Sequence, residues 1–274
     1  MSRFQEKVES LIAGPLVFFL GRPSAAKLNN ALLHFVLRGG GYNNPNMARN
    51  GEQKFIKRIS KQNLQVCIDV GANTGGYSRT LLSHSNTDVI AFEPLPTVFD
   101  ELKKLKDLFP GRLTIVNEAL GKESGEFDLY FGCSNTEFAS LSKSVNEIDY
   151  VGAVNKEILK IRVNTLDNYF ETGIHNFNEI DLIKIDTEGY EYEVLLGAQK
   201  TIKEFRPKFI QIEYNWHQLF QGHTLFTIGS LLPGYVLFQI LPYGKCLLKR
   251  DARRPEPNIF HYSNFVFMRE DVSF

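Results

Sequence analysis

The stretch that decides the fold is DVGANTGGYS, residues 69–78. It includes the end of the apolar run Val66–Val70, which is typical of a buried parallel strand, and Thr74–Ser83 then has helical spacing. Glycines in such a loop allow positive φ and let a ligand approach the backbone closely. Amide groups at the start of the following helix can then face an anion. The stretch therefore predicts a strand–loop–helix unit that binds a nucleotide-like cofactor.

The same alternation of strands and helices continues along the chain. Further strands are predicted at Asp88–Phe92, Leu113–Asn117, Ile180–Asp186, Pro207–Tyr214, Tyr235–Leu241 and Asn264–Arg269, and helices at Leu95–Leu108, Tyr190–Lys203 and Thr224–Leu232. Strands that alternate with helices form βαβ units and a mostly parallel sheet. The last strand follows a strand and a helix near the chain end, and we expect it to insert antiparallel. The predicted fold class is α/β.

The bulk composition excludes several classes of protein. The chain has 274 residues and carries 31 Lys and Arg against 31 Asp and Glu, so its formal charge is zero. A broad nucleic-acid-binding face usually shows as a basic excess, so no nucleic-acid partner is expected. Cys67, Cys133 and Cys246 are odd in number and far apart, which is typical of a reducing compartment rather than a disulfide scaffold. We therefore expect a cytoplasmic protein.

The chain is predicted to consist of an N-terminal helical arm, residues 1–60, and a main domain, residues 61–274. Leu11–Leu20 is the longest apolar run, but a Gly-Pro pair interrupts it and it falls short of the ~20 apolar residues that span a bilayer. No transmembrane segment is expected, and the run lacks the flanks of a signal peptide. Two interpretations of the run stay open. It is either a buried helix of the arm or part of a peripheral membrane contact by residues 1–21.

One segment departs from the alternation. Residues 133–155 form a polar stretch rich in Ser and Asn, between Gly125–Phe131 and Leu159–Val163, which alternate like exposed strands. Long loops in compact domains are often functional. We expect this insertion to cover the substrate side of the site, with Asn135, Ser140 and Ser142 as polar contacts.

Features in and around the glycine-rich loop narrow the choice of cofactor. A dinucleotide fingerprint needs a second glycine where this loop has Asn73. Asp69 would repel a pyrophosphate but lies near the expected ammonium and sulfonium of S-adenosylmethionine. Glu93 ends the next strand, where a carboxylate can accept both ribose hydroxyls, and adenine is expected beside residues 117–119. The pattern favours S-adenosylmethionine. A nicotinamide-dependent oxidoreductase and a cofactor-binding module without catalysis are the alternatives.

A second group of acids follows another strand, in the stretch DLIKIDTEGYE at residues 181–191. Asp186 lies at the carboxyl-terminal tip of the strand, the edge where open α/β sheets bind ligands. Lys184 lies inside the apolar strand, and a buried lysine needs a partner, either a carboxylate or the cofactor edge. Glu191 and Glu193 fall in the first turn of the next helix, where the helix dipole favours negative charge. We interpret these two as structural.

Together these segments resemble the FkbM-type methyltransferases. The matching segments occur in the family's order: DVGANTGGYS at 69–78, AFEP at 91–94, NEALG at 117–121, TLD at 165–167, LIKIDTEGYEYEVLLGA at 182–198 and IQIEYN at 210–215. The resemblance covers residues 50–270. It implies a class I, Rossmann-like methyltransferase fold that uses S-adenosylmethionine, and in most members O-methylation of sugars, polyketides or peptide natural products.

The resemblance assigns Asp69, Gly71 and Asn73 to the cofactor loop, Glu93 to the ribose and Asp186 to the methyl-transfer centre. The full set of residues expected to contact the cofactor is Asp69, Gly71, Asn73, Thr74, Gly75, Tyr77, Glu93, Pro94, Glu118, Ala119 and Asp186. The expected acceptor is a small molecule or a glycan.

Methyl transfer is an in-line displacement, so the protein mainly has to align the donor and the acceptor. A hydroxyl acceptor must also lose its proton to a nearby carboxylate or imidazole, and the candidates are His217, Glu213, Asp186 and Glu188. The same four residues could bind Mg²⁺ or Mn²⁺, although their spacing does not require a metal. Trp216, with Tyr214 and Phe220 near it, predicts either a sugar-binding aromatic face or part of the core.

Overall fold

The computed structural model describes residues 13–133, 136–171, 177–242 and 247–274. Residues 1–12, Asn135 and Cys246 lie outside these ranges. The described ranges contain the following strands: β1 (Val66–Val70), β2 (Asp88–Phe92), β3 (Leu113–Val116), β4 (Ala119–Leu120), β5 (Gly125–Phe131), β6 (Glu157–Asn164), β7 (Leu182–Ile185), β8 (Phe209–Tyr214), β9 (Tyr235–Ile240), β10 (Leu247–Lys249) and β11 (Ser263–Arg269).

Helices connect and cover these strands. They are α1 (residues 13–20), α2 (Ala26–Gly39), α3 (Met47–Asn50), α4 (Glu52–Ile59), α5 (Gly76–His84), α6 (Pro96–Leu108), α7 (Lys143–Asn146), α8 (Asp149–Val154), α9 (Leu166–Glu171), α10 (Glu191–Leu196), α11 (Gln199–Phe205), α12 (His217–Gln221) and α13 (Leu225–Ser230). Two short 3-10 helices, Pro23–Ala25 and Ser60–Gln62, precede α2 and follow α4.

The main sheet has eight strands in the order β10-β9-β11-β8-β7-β1-β2-β3. Neighbouring strands from β3 to β8 run parallel, whereas β11 lies antiparallel between β8 and β9. This confirms the predicted class I methyltransferase sheet, mostly parallel with an antiparallel last strand. The hairpin of β9 and β10 adds an edge strand that the sequence did not predict. A second, three-stranded sheet has the order β4-β6-β5.

Strands β1 and β7 at the centre of the main sheet are buried on both faces, as their mostly apolar sequences predict. Phe55, Ile56 and Ile59 of helix α4 are fully buried and pack with Leu81 and Leu102 against one of these faces. Helix α4 therefore contributes to the core of the main domain. The division of the chain at residue 60 stays a prediction.

The prediction of one continuous helix over Tyr190–Lys203 is wrong. The segment forms two helices, α10 and α11, with a break at Gly197 and Ala198. Gly197 packs directly on the backbone, and a Cβ at this position would lie 1.9 Å from the carbonyl oxygen of Gly121. The carbonyl of Gly197 accepts a hydrogen bond from the amide of Asp167. These tertiary contacts redirect the chain at a position where the local sequence pattern is helical.

The apolar run Leu11–Leu20 is helical where the structure describes it, but the expectation of a buried helix is wrong. Residues 13–19 are all exposed, and Phe18 has an exposed fraction of 71%. Among the described residues, no helix combines the length and the apolar character that crossing a membrane requires.

Candidate active site

A cavity of about 620 Å³ lies at the carboxyl-terminal ends of the central strands. Gly71 follows β1, Glu93 follows β2, Asp186 follows β7 and Glu213 lies near the end of β8, and all four line the cavity. Open α/β sheets bind their ligands at this edge. The volume falls within the range of ~300–1,000 Å³ that is usual for small-molecule sites.

Segments that are distant in sequence complete the cavity wall. They are the loop after α2, the insertion and the segment before β11, which supply Asn43, Pro45, Thr136, Glu137, Phe138, Ala139, Leu141, Tyr150, Phe260, His261 and Tyr262. Sequence reasoning singled out only the insertion among these, from its position in the chain. No local motif marks the other two segments.

The polar contacts expected of the insertion differ from those observed. Ser140 is buried, and its hydroxyl donates a hydrogen bond of 2.9 Å to the carbonyl of Glu188. Ser142 accepts a hydrogen bond from the amide of Val145 and caps helix α7. Neither serine lines the cavity, so both support the loops of the site rather than facing a substrate.

The glycine-rich loop adopts the conformation that its sequence predicts. Gly71 has a φ of +73°, and a Cβ there would lie 1.9 Å from the carbonyl oxygen of Asp186, so the position requires glycine. The amides of residues 71–75 are all hydrogen-bonded within the protein, to Phe92, Glu93, Asn73 and Ala72. The loop therefore uses these amides to hold its own shape, and the amides expected to face an anion are those at the start of helix α5.

Glu93 is fixed by the loop it faces. Its Oε2 accepts a hydrogen bond of 2.9 Å from the amide of Asn73, and its Oε1 accepts one of 2.9 Å from the amide of Leu95. Burial raises the pKa of Glu93, and the two amides oppose the rise. Because a carboxylate offers about four acceptor positions, two remain for a ligand in the cavity.

Asp69 lies behind the cavity rather than in its wall. The strand register places it beside Lys184, and its Oδ1 lies 3.2 Å from the lysine Nζ. Its Oδ2 accepts a hydrogen bond of 2.6 Å from Ser78. Lys184 also lies 3.3 Å from Asp186, so the buried lysine pairs with carboxylates, one of the two alternatives that the sequence left open. Burial lowers the pKa of Lys184, but Asp186, Asp69 and Glu52 raise it by more, which keeps the lysine charged.

The other predicted cofactor residues divide into two groups. Asn73, Pro94 and Ala119 line the cavity, whereas Thr74, Gly75, Tyr77 and Glu118 do not. Tyr77 is buried and its hydroxyl donates to Gln211 at 2.7 Å, and Gly75 packs against Leu102 and Leu105. Glu118 forms an ion pair of 3.1 Å with Arg162. These four residues shape the loop and its surroundings without facing the cavity.

The catalytic candidates meet on one wall of the cavity. The imidazole of His217 is buried between two polar partners: its Nδ1 lies 3.0 Å from Glu188 Oε2, and its Nε2 lies 3.0 Å from the hydroxyl of Tyr150. Tyr150 stacks on the imidazole and lines the cavity. The contact of Nδ1 with Glu188 is an ion-pair distance rather than an aligned hydrogen bond. With the proton on Nδ1, the Nε2 atom can accept the proton of the tyrosine hydroxyl. Sequence reasoning missed Tyr150, because only tertiary packing brings the insertion to helix α12.

Glu191 holds the loop that carries Glu188. Its Oε1 accepts hydrogen bonds of 2.8 Å from the amide of Thr187 and 3.3 Å from the amide of Gly189. Its Oε2 accepts one from Gln218 of helix α12. Burial raises the pKa of Glu191 to about 7. These hydrogen bonds are consistent with the interpretation of Glu191 as a structural residue.

Three acids of the site lie close together. One carboxylate oxygen from each of Asp186, Glu188 and Glu213 lies within 4.8 Å of the others, which is close enough for the three to hold one metal ion. Burial raises the pKa of Glu213 well above its usual value, and the charges of Asp186, Glu188 and Glu191 raise it further. The structure thus brings together three of the four residues of the metal hypothesis.

The aromatic residues near His217 have different roles. Trp216 lines the cavity with an exposed fraction of 42% and contacts Phe220 edge to face. Tyr214 is fully buried and packs against Phe260 and Phe265, so it belongs to the core.

Known proteins with related sequences define the class. The profile described as the methyltransferase FkbM domain matches residues 69–237, more than half of the chain. The fold, the cavity at the strand ends and this match together define a methyltransferase. The chain belongs to the FkbM methyltransferase family.

Two relatives are similar to this chain over 74% and 59% of its length. The 2-O-methyltransferase NoeI of Sinorhizobium fredii is 25% identical over 215 residues, which are 74% of this chain and 85% of that protein. The hexuronic acid methyltransferase AglP of Haloferax volcanii is 26% identical over 164 residues, which are 59% of this chain and 62% of that protein. A solved rRNA methylase from Streptococcus thermophilus is 12% identical, with a TM-score of 0.43 and a coverage of 83% of this chain and 99% of that chain. A structural similarity as low as this supports no conclusion about function.

Proposed function

We propose that this protein is an S-adenosylmethionine-dependent O-methyltransferase that acts on a sugar hydroxyl. One observation carries the proposal: a single cavity is lined both by the anchored carboxylate of Glu93 and by the contact series Tyr150–His217–Glu188. The first fits a ribose and the second fits a hydroxyl that must lose its proton. A nicotinamide-dependent oxidoreductase fits less well, because its dinucleotide fingerprint needs a glycine where this loop has Asn73.

The residues present fit the cofactor. Glu93 keeps two acceptor positions for the two ribose hydroxyls, because each of its oxygens uses only one position on a loop amide. Gly71 lets the loop after β1 pack against the carbonyl of Asp186 after β7, and both residues line the cavity. When bound, S-adenosylmethionine supplies a methyl group on a positively charged sulfur. The chain itself then has to orient the acceptor and remove its proton.

The proton leaves through Tyr150 and His217. The acceptor hydroxyl would give its proton to the Tyr150 oxygen as the Tyr150 proton moves to Nε2 of His217. Bound S-adenosylmethionine would supply the methyl carbon, whose bond to sulfur would break as the acceptor oxygen bonds to it, so that the sulfur leaves as a neutral thioether. The carboxylate of Glu188 stabilises the resulting imidazolium from the Nδ1 side. Glu213 is less available as a base, because burial and the nearby charges of Asp186 and Glu188 raise its pKa and favour its protonated form. Asp186 is a poorer base because it pairs with Lys184.

The choice of a sugar acceptor rests on two supports. The relatives NoeI and AglP are named for a 2-O-methyl transfer and for hexuronic acid. Trp216 and Tyr150 also present half-exposed aromatic faces at the cavity, and sugar rings commonly pack on such faces.

Replacing His217 by Gln tests the proposal. We expect turnover of a sugar acceptor to fall by roughly 10²- to 10⁴-fold, the usual contribution of a general base, with the Kd for S-adenosylmethionine nearly unchanged. His223→Gln is the matched control, because His223 stacks on Tyr192 and does not line the cavity. Tyr150→Phe should also lower turnover, as His217→Gln does.

The assay measures isotope-labelled methyl groups on a panel of neutral and uronic-acid-containing oligosaccharides. Equal turnover of the His217 and His223 variants would exclude His217 as the base. Loss of all activity on addition of a chelator, with recovery on Mg²⁺ or Mn²⁺, would instead assign the three carboxylates to a metal.

A further inference from the structure

The two N-terminal helices expose an unusually apolar surface. Large apolar side chains of α1 and α2 have exposed fractions of 43% to 71%: Leu16, Val17, Phe18, Phe19, Leu28, Leu32, Leu33, Phe35 and Val36. Within helix α2, Leu37 alone is buried. A surface helix normally turns its apolar stripe to the core, so the outward stripe on this helix indicates a partner outside the described part of the chain.

The exposed side chains form one surface rather than scattered positions. Leu28, Leu32, Phe35 and Val36 have the spacing i, i+4, i+7 and i+8, which places them on one side of helix α2. The side chain of Asn29 donates a hydrogen bond of 2.7 Å to the carbonyl of Leu20, and this contact joins α2 to the end of α1. We call the exposed apolar side chains of α1 and α2 the arm surface.

The charges around the arm surface are all of one sign. Residues 13–51 contain Arg22, Lys27, Arg38 and Arg49 and no Asp or Glu. The whole chain is neutral and residues 1–12 hold two charges of each sign, so residues 52–274 carry a net charge of −4 that offsets the +4 of the arm. The guanidinium of Arg22 lies 4.4 Å from the ring of Phe18, so cationic and apolar groups occupy the same surface.

We propose that the arm surface binds the surface of an anionic lipid bilayer. Helices that lie in the headgroup region combine Phe and Leu on one face with Lys and Arg beside it, as these helices do. A second copy of the chain fits less well, because a symmetric contact would bring two basic arms together. Helix α2 is only about 20 Å long, shorter than the ~30 Å hydrocarbon core, so it lies on the bilayer rather than across it.

This contact places the catalytic cavity at the membrane. The loop that follows α2 supplies Asn43 and Pro45 to the cavity wall. The bilayer contact and the cavity are therefore separated by no more than about the length of one helix. The lipid contact itself depends on the described arm and not on the identity of the methyl acceptor.

Vesicle co-sedimentation of the full chain tests the proposal. The vesicles contain either phosphatidylcholine alone or equal parts of phosphatidylcholine and phosphatidylglycerol. We expect clear preference for the anionic vesicles, and a roughly tenfold weaker partition for Phe35→Ser with Val36→Ser. Leu108→Ser with Ile158→Ser is the matched control, because these side chains are 63% and 61% exposed outside the arm. Arg22→Gln with Lys27→Gln should reduce binding without removing apolar area.

Two results would overturn the proposal. The first concerns vesicle binding: either the native chain shows no preference for anionic vesicles, or the arm variant and the control variant lose binding equally. The second is a dimer of the native chain in analytical ultracentrifugation without lipid that becomes a monomer in the Phe35 and Val36 variant, since a second copy would then cover the arm surface. Unchanged thermal unfolding of each variant shows that the comparison concerns folded protein.

Discussion

Replacing Glu93 by Gln should weaken the binding of S-adenosylmethionine. In the native chain each carboxylate oxygen accepts one loop amide at 2.9 Å and keeps one position for a ribose hydroxyl. Glutamine has a single accepting oxygen, and its NH₂ group would face either the amide of Asn73 or that of Leu95. The variant therefore loses the negative charge and at least one hydrogen bond to the ribose.

The size of the effect follows from that loss. A hydrogen bond to a charged group contributes about 1.5–3 kcal/mol, so the Kd for the cofactor should rise by roughly 10- to 150-fold. Burial raises the pKa of Glu93, so the difference should grow as the pH rises through that raised pKa and the native carboxylate ionises.

Isothermal titration calorimetry measures this Kd directly, and Glu118→Gln is the matched control. Glu118 belongs to the predicted cofactor set, yet it pairs with Arg162 and does not line the cavity. We expect its replacement to change the Kd by less than about twofold. If Glu93→Gln bound the cofactor as tightly as Glu118→Gln, the assignment of the ribose to Glu93 would be refuted.

Two further predictions concern buried charges near the site. Burial raises the pKa of Glu52 from 4.5 to about 7, so the folded state loses stability as the pH rises from 4.5 through 7. Urea unfolding should therefore show Glu52→Gln to be more stable than the native chain near pH 8, by up to about 3 kcal/mol. Near pH 4.5 the two proteins should have similar free energies of unfolding. Lys184→Met leaves Asp69 and Asp186 without their cation and should lower the free energy of unfolding by about 3–5 kcal/mol, with partial recovery on adding Asp69→Asn. Unchanged stability of the single variant would contradict this.

Much of the sheet could be predicted because its signals are local. The apolar runs of β1, β2, β7 and β8 each end in turn or acidic residues. Their pattern indicates that each run is a strand and shows approximately where that strand begins and ends. The break at Gly197 could not be predicted, because it depends on close contact with the backbone of Gly121, a residue in another part of the chain. The outward face of α2 could not be predicted either, since an apolar helix pattern does not tell which partner covers it.

The residues of the site also include some that the sequence predicts and some that depend on tertiary packing. Gly71, Glu93 and Asp186 follow strands, and strand ends of a parallel sheet meet at one edge, so sequence order predicts that they gather. The hydrogen bonds that hold the shape of the loop use the amides of residues 71–75, and these tertiary contacts could not be read from the sequence. Tyr150 reaches His217 only through packing of the insertion on helix α12, and no short motif carries that information.

A crystal structure of the full chain with S-adenosylmethionine bound tests the central claim most directly. We predict that the cofactor occupies the cavity at the strand ends, with both ribose hydroxyls in hydrogen-bond reach of Glu93 and the methyl group directed towards Tyr150 and His217. A cofactor bound outside this cavity, or bound within it with the ribose away from Glu93 and the methyl group away from the Tyr150–His217 pair, would contradict the account.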